Sequence, residues 1–257
     1  MNAKAPHTEA SLRESGVREP GLRESSLREE LVQACKVLYA VKAAGDGLGG
    51  HLSARLDEKR ILIKPRPVSW RGLNPEELIV IDFNGKRVDG EAGERSTVRE
   101  WPIHAQIYAA RPDVRCVLHA HPSASTLMAA LGIALEPLDQ DCAAFADRLP
   151  VLDNGAVSIA GPELGDKVAR TLGDRGALLL KNHGSVVVGA DIASVCVTAA
   201  RLEKVAETML RAASLTKLPI MSAEKKAAIL QAREGAEPAG QGKMNQERWQ
   251  MMRDYYL

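Results

Sequence analysis

Short apolar segments joined by very short links constrain the fold of this chain most strongly. Two such segments, His51–Leu56 and Ile61–Lys64, are predicted strands separated by the charged turn at Asp57–Lys59. A third, Leu78–Phe83, runs into the sequence Asn84-Gly85, which is typical of a β-hairpin. Since parallel strands need a crossover of about a dozen residues or more, links this short predict antiparallel pairing.

The rest of the chain alternates predicted helices with predicted strands. The further strands are Val114–Ala120, Ala177–Lys181 and Val186–Val188. The helices are Ser26–Ala43, which opens on a capping box of Ser26 and Glu29, then Arg99–Ala110, Ser123–Leu131, Leu164–Leu172 and Ile192–Ala213. This order predicts an α/β fold of three layers, α/β/α, in which helices flank a central mixed, largely antiparallel sheet.

The two ends of the chain differ from this central region. Residues Met1–Ser25 carry a loose five-residue repeat, a period that suits neither a helix nor a strand, and are predicted to form a mobile tail. Residues 26–220 are predicted to form one large domain. The C-terminal extension, residues 221–257, is predicted to hold a linker at Glu234–Lys243 and a last helix ending at Leu257.

Composition argues against several classes of protein. The 257 residues include 34 Lys and Arg against 33 Asp and Glu, and a net charge of +1 argues against a nucleic-acid-binding surface. No apolar run approaches the roughly 18 residues of a membrane-spanning helix, and the N-terminus lacks the apolar centre of a signal peptide. The four cysteines contain no C-x-x-C pair, which predicts buried thiols and a cytoplasmic location.

Three histidines stand at the ends of apolar strands. His119 and His121 are two residues apart, so strand alternation places both imidazoles on one face. His183 ends another apolar run and precedes Gly184. Imidazole is a common ligand of divalent metals. On spacing alone, a metal site and ordinary polar residues at strand ends are equally consistent.

Two further polar residues open the helix near residue 100. Glu100 lies in its first turn, where the helix dipole favours a carboxylate even without a function. His104 lies four residues later on the same face and is predicted to be a hydrogen-bonded structural histidine.

In this order, the motifs resemble the class II aldolase/adducin family over roughly Leu31–Ala213. The matching stretches are Gly50-His-Leu-Ser53, Glu100-Trp-Pro-Ile-His104, Arg111-Pro-Asp-Val-Arg-Cys-Val-Leu-His-Ala-His121, Asn182-His-Gly184 and Leu202-Glu203.

The resemblance implies a class II aldolase-like fold and one divalent metal per site: zinc, manganese, iron or cobalt. His119, His121 and His183 match the family's metal-binding histidines, and Glu100 matches its acid/base residue. The resemblance also implies a homo-oligomer, most simply a tetramer, whose C-terminal segment packs on a neighbouring subunit.

The chain departs from the family's sugar-phosphate enzymes at the loops that hold phosphate. His51 replaces an asparagine, Pro65-Arg66-Pro67 replaces small residues, and Val98-Arg99 replaces two serines. Prolines and valine provide no hydrogen-bond donors for a phosphate, whereas arginine binds a carboxylate through two parallel hydrogen bonds. Arg66, Arg99 and Ser53 are therefore predicted to bind a small-molecule carboxylate.

These departures favour a metal-dependent carbon–carbon lyase that decarboxylates a hydroxylated aromatic or heteroaromatic carboxylate. Glu100 or His51 would supply the proton that replaces CO₂. The alternatives are an aldolase acting on a non-phosphorylated hydroxy-keto acid, an iron-dependent oxygenase, and a non-catalytic adducin-like interaction module. Neither a nucleic acid nor a membrane is an expected partner.

Overall fold

A seven-stranded mixed sheet forms the centre of the chain, for which a computed structural model describes residues 20–89, 96–215, 221–234 and 238–257. Its strands are β1 (His51–Arg55), β2 (Arg60–Ile63), β3 (Ile79–Asp82), β4 (Cys116–Ala120), β5 (Val151–Leu152), β6 (Ala177–Leu180) and β7 (Gly184–Gly189). They lie in the order β3-β2-β1-β4-β7-β6-β5, and every pair is antiparallel except β5 with β6. The predicted mixed, largely antiparallel sheet is confirmed.

Helices cover both faces of the sheet. They are α1 (Pro20–Ala40), α2 (Trp101–Ala110), α3 (Ser123–Ala130), α4 (Gln140–Phe145), α5 (Pro162–Leu172), α6 (Ile192–Leu215), α7 (Ala223–Glu234) and α8 (Pro238–Tyr256). One buried apolar cluster joins α1, α3, α6 and α8 to one face, and a second joins α2 and α5 to the other. The three predicted layers are thus present.

Strand alternation directs the polar side chains of two neighbouring strands towards α2. In β1 and β4, Leu52 and Leu118 enter the cluster under α6, so the residues next to them face the opposite way. Those neighbours include His51 and His119, which are paired directly across the two strands. Two imidazoles are therefore brought together by the sheet register alone.

Close packing of α5 sets the position of α2. A Cβ at Gly165 would lie 2.6 Å from the carbonyl oxygen of Pro102, so only glycine allows this approach of the two helices. Arg55 reaches the other end of α2, where its guanidinium donates to the carbonyl oxygens of Tyr108 and Arg111. A cation at this end also complements the helix dipole.

The first helix starts earlier than predicted. Its described part begins at Pro20, so Ser26 lies inside α1 and is not its N-cap, and residues 20–25 of the predicted tail are helical. Proline suits the first turn of a helix, and the Glu24–Arg28 ion pair stabilises the following turn. The rest of the predicted tail, residues 1–19, lies outside the described residues.

The C-terminal extension is more helical than predicted. Helix α8 begins at Pro238, so most of the predicted linker Glu234–Lys243 is helical. Trp249 is buried against α1 and α6 of its own chain. Met251 and Tyr255 remain exposed on the outer side of α8, and contact of this side with a neighbouring subunit stays a prediction.

Two further observations concern the cysteines and the hydropathy of the helices. All four cysteines are free and buried, as predicted. Among the described residues, no helix combines the length and the hydropathy that crossing a membrane requires.

Candidate active site

Histidines from distant parts of the chain meet at one end of the central strands of the sheet. The sequence holds six, and all except His7, which lies outside the described residues, are found here. His51 opens β1, His119 is the second-last residue of β4, and His183 lies in the turn between β6 and β7. His121 directly follows β4, and His104 projects from α2. The three histidines that the sequence predicts as ligands are thus brought together.

Three of these histidines form a tight cluster with Glu100. His119 Nε2 lies 3.2 Å from Glu100 Oε2, and His183 Nε2 lies 3.4 Å from Glu100 Oε1. The Nε2 atoms of His119 and His121 are 3.2 Å apart. All four ligand atoms lie within 4.8 Å of one another, close enough to surround one ion.

The donor chemistry of this cluster fits a divalent cation. His119 Nδ1 lies 3.0 Å from the carbonyl oxygen of Ser185, which only accepts, so Nδ1 carries a proton. The Nε2 atom of His119 therefore faces both a carboxylate oxygen and His121. A divalent cation between these groups would balance the carboxylate charge, and three imidazoles with a carboxylate suit zinc, manganese, iron or cobalt.

The pKa values of His121 and Glu100 agree with a divalent cation at this site. Burial, together with the neighbouring His119 and His183, lowers the pKa of His121 to about 4, so His121 is neutral at neutral pH. A metal ligand has to be in this neutral form. Burial alone would raise the pKa of Glu100, but hydrogen bonds from His119 and His183 hold that pKa below its ordinary value.

A loop before α5 fixes one oxygen of Glu100. Glu100 Oε1 accepts hydrogen bonds from Ser158 Oγ at 3.0 Å and from the backbone N–H of Ile159 at 2.8 Å. The other oxygen, Oε2, faces His119 and His51. Glu100 is therefore held as a carboxylate whose two oxygens both face the cluster, since Oε1 also lies 3.4 Å from His183 Nε2.

A second set of buried polar residues extends from His51 into the core. His51 Nε2 lies 4.0 Å from Glu100 Oε2, while His51 Nδ1 lies 2.6 Å from His104 Nε2. Ser53 Oγ lies 2.6 Å from His104 Nδ1 and 2.8 Å from the hydroxyl of Tyr108. Burial, with help from His119, lowers the pKa of His104 to about 3, so its ring is neutral. The predicted hydrogen-bonded role of His104 is confirmed.

The predicted substrate-binding residues differ in their surroundings. The hydroxyl of Ser53 is fully buried and its hydrogen bonds go to His104 and Tyr108, so direct binding of the substrate by Ser53 stays a prediction. Arg66 and Arg99 are exposed on neighbouring loops, which two backbone hydrogen bonds between Arg66 and Ser96 hold together. Their contact with a substrate stays a prediction.

Sequence reasoning missed several residues of this site. Ser158 and Ile159 hold Glu100, and Tyr108 ends the chain of buried polar groups. Lys64 is buried, with its ammonium 5.5 Å from the centre of the Trp70 ring, and its charge acts on His51. Tyr108 had a detectable signal, because Glu100, His104 and Tyr108 recur every four residues along α2.

Glu203 anchors the helix that follows His121. Its carboxylate is buried and accepts the backbone N–H groups of Ala124 and Ser125 at 2.7 and 2.9 Å. We expect Glu203→Ala to lower the free energy of unfolding by about 1.5–3 kcal/mol, because two buried donors lose a charged acceptor. Urea unfolding measures this loss. The exposed Lys204→Ala on the same helix should stay within about 0.5 kcal/mol of the parent, and equal losses in both variants would contradict the anchoring role.

Comparison with known proteins agrees with this geometry. The sequence profile of the Class II Aldolase and Adducin N-terminal domain matches residues 29–210. The chain belongs to the class II aldolase and adducin family. This match contains β1, β4, α2 and the β6–β7 turn, and with them every histidine of the site.

The relatives that resemble this chain are named for different reactions. The chain is 28% identical over 194 residues to 3,4-dihydroxyphthalate decarboxylase of Arthrobacter keyseri, covering 70% of this chain and 76% of that one. It is also 28% identical over 185 residues to 5-methylthioribulose-1-phosphate/5-deoxyribulose-1-phosphate aldolase of Rhodospirillum rubrum, covering 72% and 81%. L-fuculose 1-phosphate aldolase from Glaciozyma antarctica PI12 shares the fold, with a TM-score of 0.78, 22% identity and 97% of each chain covered.

Proposed function

We propose that this protein is a metal-dependent carbon–carbon lyase that decarboxylates a hydroxylated aromatic or heteroaromatic carboxylate. Membership of the class II aldolase and adducin family and the His/Glu cluster support a metal-dependent lyase. The choice of decarboxylation over cleavage of a sugar phosphate rests on the loops beside the cluster.

The observation that carries this choice is the lack of phosphate donors in those loops. Pro65 and Pro67 have no backbone N–H, and the N–H of Arg66 donates to the carbonyl oxygen of Ser96 at 3.1 Å. Val98 is buried in the apolar cluster beside α2. The backbone of segment 65–67 and the side chain of Val98 therefore provide no free donor to a phosphate. The exposed guanidinium groups of Arg66 and Arg99 are donors here, and each can form a bidentate pair with a carboxylate.

The arrangement of the remaining residues suits the charge that develops when CO₂ leaves. A bound divalent metal supplies a Lewis acid for negative charge on a substrate oxygen. His121 and His183 are half-buried, so the open side of the cluster is accessible to a small molecule. His51 lies beside Glu100 with a neutral ring, because burial lowers its pKa well below the ordinary value. A neutral imidazole N–H can polarise a substrate oxygen.

A panel of substrates tests the proposal directly. The protein, loaded in turn with zinc, manganese, iron or cobalt, is offered hydroxylated phthalates, hydroxylated pyridine dicarboxylates and sugar 1-phosphates. We expect CO₂ release from at least one hydroxylated aromatic dicarboxylate and no cleavage of the sugar phosphates. Preferential cleavage of a sugar phosphate would contradict the proposal, as would the absence of CO₂ with every acid and metal.

Aldol cleavage of a non-phosphorylated hydroxy-keto acid is the second candidate. It is favoured by the resemblance to a named aldolase over 72% of this chain, and it uses the same metal site and the same arginines. Release of pyruvate or a related keto acid, without CO₂, identifies this reaction in the same assays.

A homotetramer and a cytoplasmic location stay predictions. Light scattering tests the homotetramer.

The two arginines provide a sharper test of substrate charge. We expect Arg66→Ala and Arg99→Ala each to lower kcat/KM for an aromatic dicarboxylate by about 10- to 150-fold, the loss of a charge-assisted hydrogen bond worth roughly 1.5–3 kcal/mol. Arg→Lys should recover only part of this loss, because an ammonium cannot form the bidentate pair. Arg71→Ala is the control, since Arg71 is exposed on the following turn. Parent rates in both Arg66 and Arg99 variants would refute the carboxylate contact.

A further inference from the structure

A continuous chain of buried polar groups runs from the active site into the core. It starts at His51, passes through the ring of His104 and the hydroxyl of Ser53, and ends at the hydroxyl of Tyr108. His104 and Ser53 are fully buried, and Tyr108 is 1% exposed. Burying four polar groups in an apolar layer is unfavourable unless each is hydrogen-bonded, so the order of donors and acceptors along the chain is restricted.

Only two orders of donors and acceptors are consistent with neutral rings. Each neutral imidazole has one N–H and one lone pair, so His104 donates either to His51 or to Ser53. If His104 Nε2 donates, then His51 Nδ1 accepts and the proton of His51 lies on Nε2. If His51 Nδ1 donates instead, Nε2 of His51 carries a lone pair. Whether His104 donates through Nε2 or through Nδ1 therefore decides whether His51 Nε2 carries a proton or a lone pair.

Both ends of the chain favour the first order. At one end, His51 Nε2 is 4.0 Å from an oxygen of Glu100, where a lone pair would be repelled and an N–H attracted. At the other end, Ser53 is the acceptor that the described residues place within hydrogen-bond distance of the Tyr108 hydroxyl. Tyr108 therefore donates to Ser53, Ser53 donates to His104 Nδ1, and His104 Nε2 donates to His51.

We propose that His104 is a positioning residue, which, oriented by Ser53 and Tyr108, holds His51 in the tautomer whose Nε2–H faces Glu100 and the substrate. The inference rests on the proposed function in one respect, because it gives His51 its task in that reaction. It concerns the arrangement of protons in the resting protein and can be tested without any substrate.

The inner end of the chain is closed, which separates this role from proton conduction. Burial raises the pKa of Tyr108 well above its ordinary value, so the phenol keeps its proton. The guanidinium of Arg55 lies over the Tyr108 ring, 4.9 Å from its centre, and covers that side. The chain thus holds a fixed direction of hydrogen bonds around His51 rather than delivering protons from solvent.

The tautomer of His51 is measured by ¹⁵N NMR of protein labelled at histidine, both metal-free and loaded with Zn²⁺. Protonated and bare ring nitrogens have well-separated shifts, and a His51→Asn spectrum assigns the signals of His51. We expect a proton on Nε2 in the parent. In His104→Leu, which removes the donor, we expect a second population with the proton on Nδ1. A parent protonated on Nδ1 would overturn the inference.

Matched variants then separate positioning from general structural support. His104→Gln keeps an amide N–H near the Nε2 position, so it should restore the Nε2–H tautomer that His104→Leu loses. With a substrate identified as above, His104→Leu should lower kcat by about 10- to 100-fold at nearly constant KM, with partial rescue by Gln. If His104→Leu does not fold, Tyr108→Phe, which removes the inner end of the chain, should show the same tautomer change. An unchanged tautomer in a folded His104→Leu or, failing that, in Tyr108→Phe overturns the inference, whether or not a substrate is found.

Discussion

Replacing His119 and His121 together by alanine is expected to remove the divalent metal and, with it, measurable turnover. The two imidazoles provide half of the four ligand atoms that lie within 4.8 Å of one another. His183 and Glu100 alone would leave the ion with two protein ligands. A metal that acts as a Lewis acid is worth several kcal/mol, and about 4 kcal/mol corresponds to a loss of about 10³-fold in rate.

Metal content, measured by elemental analysis of protein purified without chelator, decides this prediction independently of activity. The parent should hold close to one ion per chain and the double variant almost none. Added Zn²⁺ should raise the melting temperature of the parent only, because an ion that binds the folded state stabilises it. Arg170→Ala is the matched control, since its exposed ion pair with Asp166 lies on the surface of α5. Equal metal in the parent and the double variant would rule out these ligands.

Much of the fold was predictable because its strands are joined locally and their apolar faces are regular. Strands β1 and β2 are joined by a turn, the apolar residues of β1 alternate with polar ones, and β2 is a short continuous apolar run. Strand β5 was missed because it has only two residues. Helices α4 and α7 were missed for different reasons, since α4 has six residues and half of the residues of α7 are polar or charged.

The start of α1 shows how local signals compete. Ser26 and Glu29 form a valid capping pattern, yet the helix continues through them back to Pro20. Arg28 explains part of this, because it binds Glu24 one turn earlier and also donates to the carbonyl oxygens of Pro75 and Leu78. Contacts with a turn about fifty residues away cannot be recognised from the sequence around Ser26.

The residues of the active site also differ in whether the sequence identified them. His119, His121 and Glu100 were identified because the motifs that contain them resemble the class II aldolase/adducin family, whereas their spacing alone was equally consistent with ordinary polar residues. The groups that hold Glu100 were not, because a backbone N–H such as that of Ile159 is present at nearly every position of any sequence. The hydrogen-bond partners of Ser53 were not identified either, because β1 does not reveal which group its hydroxyl meets, and His104 comes from a different layer.

His51 is the site residue whose replacement should be most informative about the reaction itself. The variant His51→Asn restores the residue that the family's sugar-phosphate enzymes carry at this position. We expect kcat for decarboxylation to fall by about 10²- to 10⁴-fold, the usual range for losing a positioned proton donor. Metal content should be unchanged, since His51 is not one of the four clustered ligands.

Isotope exchange shows which step His51→Asn slows. If His51 donates to the substrate after CO₂ leaves, the variant should let the carbanion recapture CO₂ before it is protonated. Exchange of ¹³C from labelled bicarbonate into unreacted substrate should therefore rise relative to product formation. The companion variant Ser158→Ala, which removes one donor to Glu100 but leaves His51 intact, should slow turnover without raising that ratio. Parent-like turnover in His51→Asn, or an exchange ratio that stays at the parent value, would rule out His51 as the proton donor.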